Sequence, residues 1–259
     1  MKFEEAKDHV STEFPFQNYI GEQVDLYKIV ARTVQKYLNK GDSILDFGSG
    51  PCDLTAVIAT LGYKCSAYDD LLDNWHKLDN NKEKILKFAS NFDIDFKLAS
   101  DSYLPFNEQS FELVMLHHVL EHLHDSPRDL LNDLVNLIKP NGYLFITVPN
   151  AANIRKRISI VLGKTNLPPF DEFYWYPGPW RGHIREYVKN DLIKLAEYLG
   201  LKIVDLRSCH CMLYSLPPII RPFHIILSKF FPGWRDSWLL VAKKPEDWSF
   251  RKEPHNGIL

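Results

Sequence analysis

The stretch Ile44-Leu45-Asp46-Phe47-Gly48-Ser49-Gly50-Pro51-Cys52-Asp53-Leu54-Thr55 decides how this chain folds. A short apolar run ending at Leu45 leads into Asp46 and a Gly48-Ser49-Gly50 turn. An apolar period then resumes at Leu54, Val57, Ile58 and Leu61. That is a strand, a tight turn and a helix start. Glycine lacks a Cβ and tolerates positive φ, so a ligand can lie against bare backbone there. A dinucleotide site uses such a turn to bring two phosphates to a helix N-terminus. A carboxylate at Asp46 would repel them, and the spacing is not G-x-G-x-x-G. The acid suits a cationic ligand rich in amine and hydroxyl donors.

Outward from this turn, Ile20, Val24, Tyr27, Val30, Val34 and Leu38 keep a helical period, which predicts an amphipathic helix over 20–38. Strands are predicted at Ser43–Phe47, Tyr63–Tyr68, Ile94–Ala99, Phe111–Leu116 and Tyr143–Val148. Helices are predicted at Asp53–Leu61, over residues 71–90 and at Arg128–Ile138, with Gly62 in a C-cap position and Pro140-Asn141-Gly142 as a breaker. This alternation predicts an open parallel sheet covered by helices on both faces. Ligands of such sheets sit outside the carboxyl ends of the strands. Asp46, Asp69, Asp101 and His117 fall at those ends and are expected on one rim.

The texture changes after Pro149-Asn150. Residues 151–182 hold a basic stretch, Ile154-Arg155-Lys156-Arg157-Ile158, and an aromatic cluster running from Phe170 to Trp180. A helical period returns over 187–199, followed by strands at Lys202–Leu206 and Ser237–Ala242. The expected division is an N-terminal helical cap (1–42), a binding core (43–150), an insert (151–186), a C-terminal part of the same domain (187–245) and a loose tail (246–259).

At 259 residues the chain can bury one large core, and 45% hydrophobic with 25% charged residues is an ordinary globular balance. A net charge of −2 gives no general pull toward nucleic acid or anionic lipid. Cys52, Cys65, Cys209 and Cys211 form no C-x-x-C pair and no zinc spacing, so no metal is expected. In a strand, Cys209 and Cys211 share a face while His210 points away. No apolar leader or bilayer-length run is read, and a cytoplasmic protein without stable membrane insertion is expected.

Several blocks together resemble the class I S-adenosylmethionine (SAM) dependent methyltransferases of the type 11 and type 23 groups. They are Asp46-Phe47-Gly48-Ser49-Gly50, Asp101-Ser102-Tyr103-Leu104-Pro105-Phe106, Ser110-Phe111-Glu112-Leu113-Val114, His118-Val119-Leu120-Glu121-His122-Leu123, Pro140 to Asn150, and His183-Ile184-Arg185-Glu186-Tyr187. The resemblance implies a Rossmann-like, doubly wound α/β fold. Its seven-stranded sheet is mostly parallel, with an antiparallel last strand and a substrate-lid insert. It also implies that Asp46, Gly48, Ser49 and Gly50 border the methionine part of SAM, that Asp69 binds the ribose, that Asp101 and Ser102 face the adenine edge, and that His117 sits near the sulfonium. One departure is Cys52, which stands where the pattern has a third glycine.

Methyl transfer from a sulfonium is an in-line displacement and needs an aligned nucleophile. A hydroxyl or ammonium acceptor also needs a base, and histidine titrates near neutral pH. His183 and His122 are the catalytic candidates, the latter weighed against a packing role; Arg185 is more simply read as an internal salt bridge. The insert is read as a substrate lid, its aromatics suited to stacking on a ring. The expected reaction is methylation of a small polar acceptor, O-methylation ahead of N-methylation, with a sugar or phosphorylated polysaccharide precursor in view. Alternatives are C-methylation of a quinone-like lipid and a non-catalytic SAM-binding module. The apolar Pro217–Phe231 segment is assigned to core packing or a homodimer interface ahead of a membrane surface. Nucleic acid is not an expected partner.

Overall fold

The computed structural model describes residues 1–16, 19–99, 104–213 and 216–251. Its strands are β1 (Ser43–Phe47), β2 (Lys64–Asp69), β3 (Asp95–Leu98), β4 (Phe111–His117), β5 (Ile138–Pro149), β6 (Lys202–Cys209) and β7 (Ser237–Lys243). They form one sheet in the order β3-β2-β1-β4-β5-β7-β6. Every pairing from β3 to β5 is parallel, and β7 runs antiparallel to both β5 and β6. This is the open, mostly parallel sheet that the alternation predicts, with the reversed last strand that the resemblance implies. The strand order reverses between β1 and β4, which opens a crevice at their carboxyl ends.

The sheet is buried on both faces, so its central strands read as continuous apolar runs. Neighbouring residues point to opposite sides. Ile44, Leu113, Met115 and Phe145 pack under α1 (Phe3–Glu13), α2 (Tyr19–Tyr37), α3 (Asp53–Thr60) and α4 (Asn81–Asn91). Leu45, Val114, Leu116 and Ile146 pack under α5 (Arg128–Leu137) and α8 (Lys189–Tyr198). Truncating any of these fully buried side chains to alanine removes about 2–5 kcal/mol.

The insert carries α6 (Ile154–Val161) and α7 (Phe170–Tyr174), and α9 (Arg221–Phe230) precedes β7. Among the described residues no helix is long and apolar enough to cross a membrane.

Several local expectations are corrected. Residues 71–90 are not one helix: Asp69 and Asp70 accept the backbone N–H groups of Leu71 (2.7 Å) and Leu72 (2.8 Å), Leu71 and Asp79 take positive φ, and only a short 3-10 turn at Asn74–Lys77 precedes α4. Pro140-Asn141-Gly142 does not separate helix from strand. It bulges within β5, which already pairs at Ile138 with Phe111 and resumes at Tyr143 with Leu113. Asn141 sits there at φ 66° and its amide bonds to the Lys244 carbonyl. Residues 246–251 are not loose: the Trp248 indole donates to the Leu199 carbonyl at 2.7 Å, and the Arg251 amide donates to Asn132. At the end of β6 the Cys209 sulfur lies 3.4 Å from that of Cys211, just past the strand, while His210 leaves the other way to Ser228.

Candidate active site

The turn between β1 and α3 is held by three kinds of bond. The Gly48 amide donates to the Tyr68 carbonyl of β2 at 2.8 Å, which ties the loop to the neighbouring strand. The Gly50 amide donates to Oδ2 of Asp69 at 2.8 Å. The Thr55 hydroxyl donates to Oδ2 of Asp46 at 2.6 Å, from the first turn of α3. Gly48 is required twice over, since its φ is 73° and a Cβ there would stand 2.4 Å from Cγ2 of Val119. Cys52, in place of the third glycine, also adopts a left-handed conformation at φ 65°. Its side chain is buried, with Sγ toward the Ser49 hydroxyl, and it lines neither of the cavities beside the loop.

Two cavities flank this turn. The smaller, about 250 Å³, is lined by Asp46, Gly48, Ser49, Gly50, Asp53 and His117 among others. The larger, about 600 Å³, is lined by Gly48, Gly50, Asp69, His76, Trp180 and Arg181 among others. Gly48, Gly50 and His118 line both. The strand ends therefore bring Asp46, Gly48, Ser49, Gly50, Asp69 and His117 to one rim. Asp101 and Ser102 lie outside the described residues.

Burial sets the charge of this rim. It raises the Asp46 carboxyl to about 7, with Thr55 opposing and Asp69 adding to the shift. It raises Asp53 to about 7 as well, against bonds from backbone amides. Asp69 is raised for the same reason, opposed by the amides of Leu71 and Gly50. Its carboxylate thus caps the glycine loop and the turn after β2, while also lining the larger cavity.

His117 sits at the end of β4, with Nδ1 3.0 Å from the Thr147 hydroxyl and Nε2 buried without a partner. Burial, then the neighbouring His118, lowers it to about 3, so the ring is uncharged at neutral pH. His118 behaves oppositely: burial disfavours its charge, but bonds to Cys211 and Glu121 prevail and raise it to about 10.

The insert closes over the larger cavity. The Arg181 guanidinium donates to both oxygens of Asp70 at 3.0 Å and to Asp73 at 2.8 Å. His122 and His183, both half-buried, are brought edge to face with centroids 5.0 Å apart. Nδ1 of His122 lies 2.7 Å from the Arg181 carbonyl, and Nδ1 of His183 lies 2.8 Å from Glu186. Glu186 is also paired with Lys156 of α6. Arg185 is exposed, 3.7 Å from Asp191 and over the Tyr187 ring, so its ion pair lies at the surface rather than inside the fold.

Sequence reasoning missed Arg181 and His76. The first sits two residues before His183, within a stretch read only for its aromatics. The second is buried against Trp75 with neither ring nitrogen partnered. The nearest signal was compositional: Asp69, Asp70 and Asp73 form an acidic cluster that needs a cation.

A family model described as a methyltransferase domain matches residues 20–206. An uncharacterized methyltransferase of Schizosaccharomyces pombe is 34% identical over 116 residues, covering 42% of this chain and 40% of that protein. The chain thus spans about two fifths of the length of that curated relative. Among solved structures, a 1,6-didemethyltoxoflavin-N1-methyltransferase from Burkholderia thailandensis, with bound substrate and S-adenosylhomocysteine, superposes with a TM-score of 0.57 at 17% identity, covering 93% of this chain and 87% of that one. A SAM-dependent methyltransferase from Methanosarcina mazei gives 0.55 at 16% identity, covering 82% and 97%. The domain match over most of the chain and the shared fold agree with the resemblance drawn from the sequence: the chain belongs to the methyltransferase-domain family.

Proposed function

We propose that this enzyme transfers the methyl group of SAM to a hydroxyl of a small polar acceptor, a sugar or phosphorylated precursor of the kind used in surface polysaccharides. The observation that carries the reading is the pair of cavities meeting at Gly48 and Gly50, one small and acidic, one large and roofed by the insert. The residues present suit SAM. Asp46 and Asp53 are acids facing a space sized for a methionine moiety, and the orphaned Nε2 of His117 offers a polar atom with no other use. A Cβ built on Gly50 would meet nothing within 4 Å, so the loop leaves room above it. Asp46, Gly48, Ser49, Gly50 and His117 would hold the methionine part. Asp69 would accept the ribose hydroxyls, with Asp101 and Ser102 assigned to the adenine edge.

SAM supplies an activated methyl on sulfur, and the chain must orient an acceptor in line with it and exclude water. The larger cavity would be shared: the ribose end of SAM would lie at Asp69, and the acceptor against Trp180, Arg181 and His122. His122 and His183 are the groups proposed to activate its hydroxyl. A polar wall of mixed charge favours a hydroxylated acceptor over an apolar one.

A second reading has its own support. Ile158, Val161, Leu162, Ile219, Phe223, Ile226 and Phe230 are all exposed, with Val161 at 85% and Ile219 at 79%. The stretches 154–168 and 212–235 that carry them hold seven cations and no acid. Such an apolar, basic surface suits a lipid interface, and with it a quinone-like acceptor methylated on carbon.

Calorimetry with SAM and S-adenosylhomocysteine tests the donor; binding of neither removes the whole reading. Mass-spectrometric product formation across nucleotide sugars, phosphorylated small molecules and quinones separates the acceptors. Sedimentation with anionic vesicles adds an independent measure of the lipid alternative.

A further inference from the structure

Glu121, His122 and His183 each offer a ligand atom, and these atoms lie within 4.8 Å of one another. Backbone pairing creates the cluster. The amides of Ile184 and Arg185 donate to the Glu121 carbonyl at 2.6 and 3.4 Å, clipping the end of the insert to the turn after β4. Two segments far apart in sequence thus present one carboxylate and two imidazoles to a common point.

Each of the three is also held from behind. A carbonyl can only accept, so the Arg181 oxygen at 2.7 Å fixes the proton of His122 on Nδ1 and leaves Nε2 as the outward atom. Glu186 does the same for His183 at 2.8 Å. His118 engages Oε1 of Glu121 at 3.1 Å, while Oε2 is buried without any partner. Imidazoles that donate their second nitrogen to a carbonyl or carboxylate, beside a carboxylate already steadied on one oxygen, are the surroundings that metal ligands have in proteins. A buried carboxylate oxygen without a donor is costly unless something cationic meets it.

We propose that Glu121, His122 and His183 form a site for a divalent transition cation such as Zn²⁺, Mn²⁺ or Fe²⁺. Two imidazole nitrogens and one carboxylate oxygen match the donor preferences of these ions and leave coordination positions open. His122 also lines the larger cavity, so the site adjoins the space assigned to the acceptor. In this arrangement the two histidines activate the acceptor hydroxyl through the cation rather than by taking its proton themselves. The cation lowers the hydroxyl's pKa and its proton leaves to solvent. The oxygen then bonds to the methyl carbon, and the carbon–sulfur electron pair remains on sulfur. That catalytic use rests on the O-methylation reading; the site itself does not.

The test is uptake of the metal alone, without SAM or acceptor. Purified full-length chain, stripped with chelator, is titrated with Co²⁺ and followed by its visible ligand-field bands, with Zn²⁺ stoichiometry measured after dialysis. The expected result is one equivalent bound, with affinity reduced about tenfold or more in His183→Ala and His122→Ala and unchanged in the remote surface variant His9→Ala. Glu121 is fully buried, so Glu121→Gln is scored only alongside circular dichroism, and the half-exposed His183 decides the matter. No saturable uptake at micromolar free metal, or uptake that His183→Ala leaves intact, overturns the proposal. SAM calorimetry is measured separately, so loss of the metal site and loss of the methyltransferase reading remain distinguishable.

Discussion

Arg181 of the insert holds both carboxylate oxygens of Asp70, at 3.0 Å each, across 111 residues of chain. Its Nε bonds to Asp73 as well, so one guanidinium joins the roof of the larger cavity to the loop that follows β2. Both partners are about one-third exposed, and solvent screens the pair. Its value lies in geometry: a two-pronged contact fixes direction as well as distance.

Arg181→Ala should therefore cost at most about 1 kcal/mol of stability, while freeing the insert. Release of S-adenosylhomocysteine should accelerate about tenfold, equivalent to about 1.4 kcal/mol, and limited proteolysis should cut more readily between α6 and α7. Stopped-flow release and digestion time courses check this. Unchanged release and unchanged cutting would remove the clasp from the binding site.

Asp69 closes the glycine loop through the Gly50 amide and the following turn through the Leu71 amide. Asp69→Ala leaves both donors without partners, and a loss of about 1–3 kcal/mol in urea denaturation is expected. Asp69→Asn keeps an acceptor oxygen and should recover part of it. Under the proposed assignment of Asp69 to the ribose, both variants should bind S-adenosylhomocysteine at least about tenfold more weakly, since each removes the charged acceptor. Wild-type affinity in Asp69→Asn would argue that the residue only shapes the loop.

Burial places the Asp46 carboxyl near 7, above its unfolded value of about 3.8. The folded state thus holds the proton more tightly than the unfolded chain. The stabilisation this provides is fully present below about pH 3.8 and is lost as pH rises through about 7. Asp46→Asn should flatten the fall in stability between pH 5 and 7, by up to about 1.4 kcal/mol per pH unit. Parallel stability curves for the two proteins would place the titration elsewhere, with Asp53 as the next residue to test. Affinity for the cationic donor should move the other way in wild type, tightening as the carboxylate forms.

Gly48→Ala forces a methyl into the space of Val119 and a strained φ onto alanine. A loss of about 2–4 kcal/mol is expected, the clash adding to the conformational penalty. Val119→Ala should return only the clash component. A double-mutant cycle by chemical denaturation measures that coupling; additivity of the two changes would show that the loop moves aside.

The alternating helices and strands, the glycine turn and the rim of strand-end residues were legible in the sequence because each is encoded locally. Apolar period distinguishes helix from strand, and a parallel sheet places its strand ends together whatever the intervening loops contain. Reading failed where a side chain redirects the backbone. The Asp69 and Asp70 caps divert the chain after β2, and a bulge at Asn141 lets β5 begin before the residues that read as its breaker.

The sequence by itself determined the fold family and the side of the sheet on which a cationic ligand would sit. Only the tertiary structure decided what faces that ligand. The Arg181 clasp on Asp70 and Asp73 and the meeting of Glu121 and His122 with His183 are long-range pairings, and the uncharged state of His117 follows from its burial in the folded chain. No local period records them, because they depend on where an insert folds back and on how much water each group loses when it does.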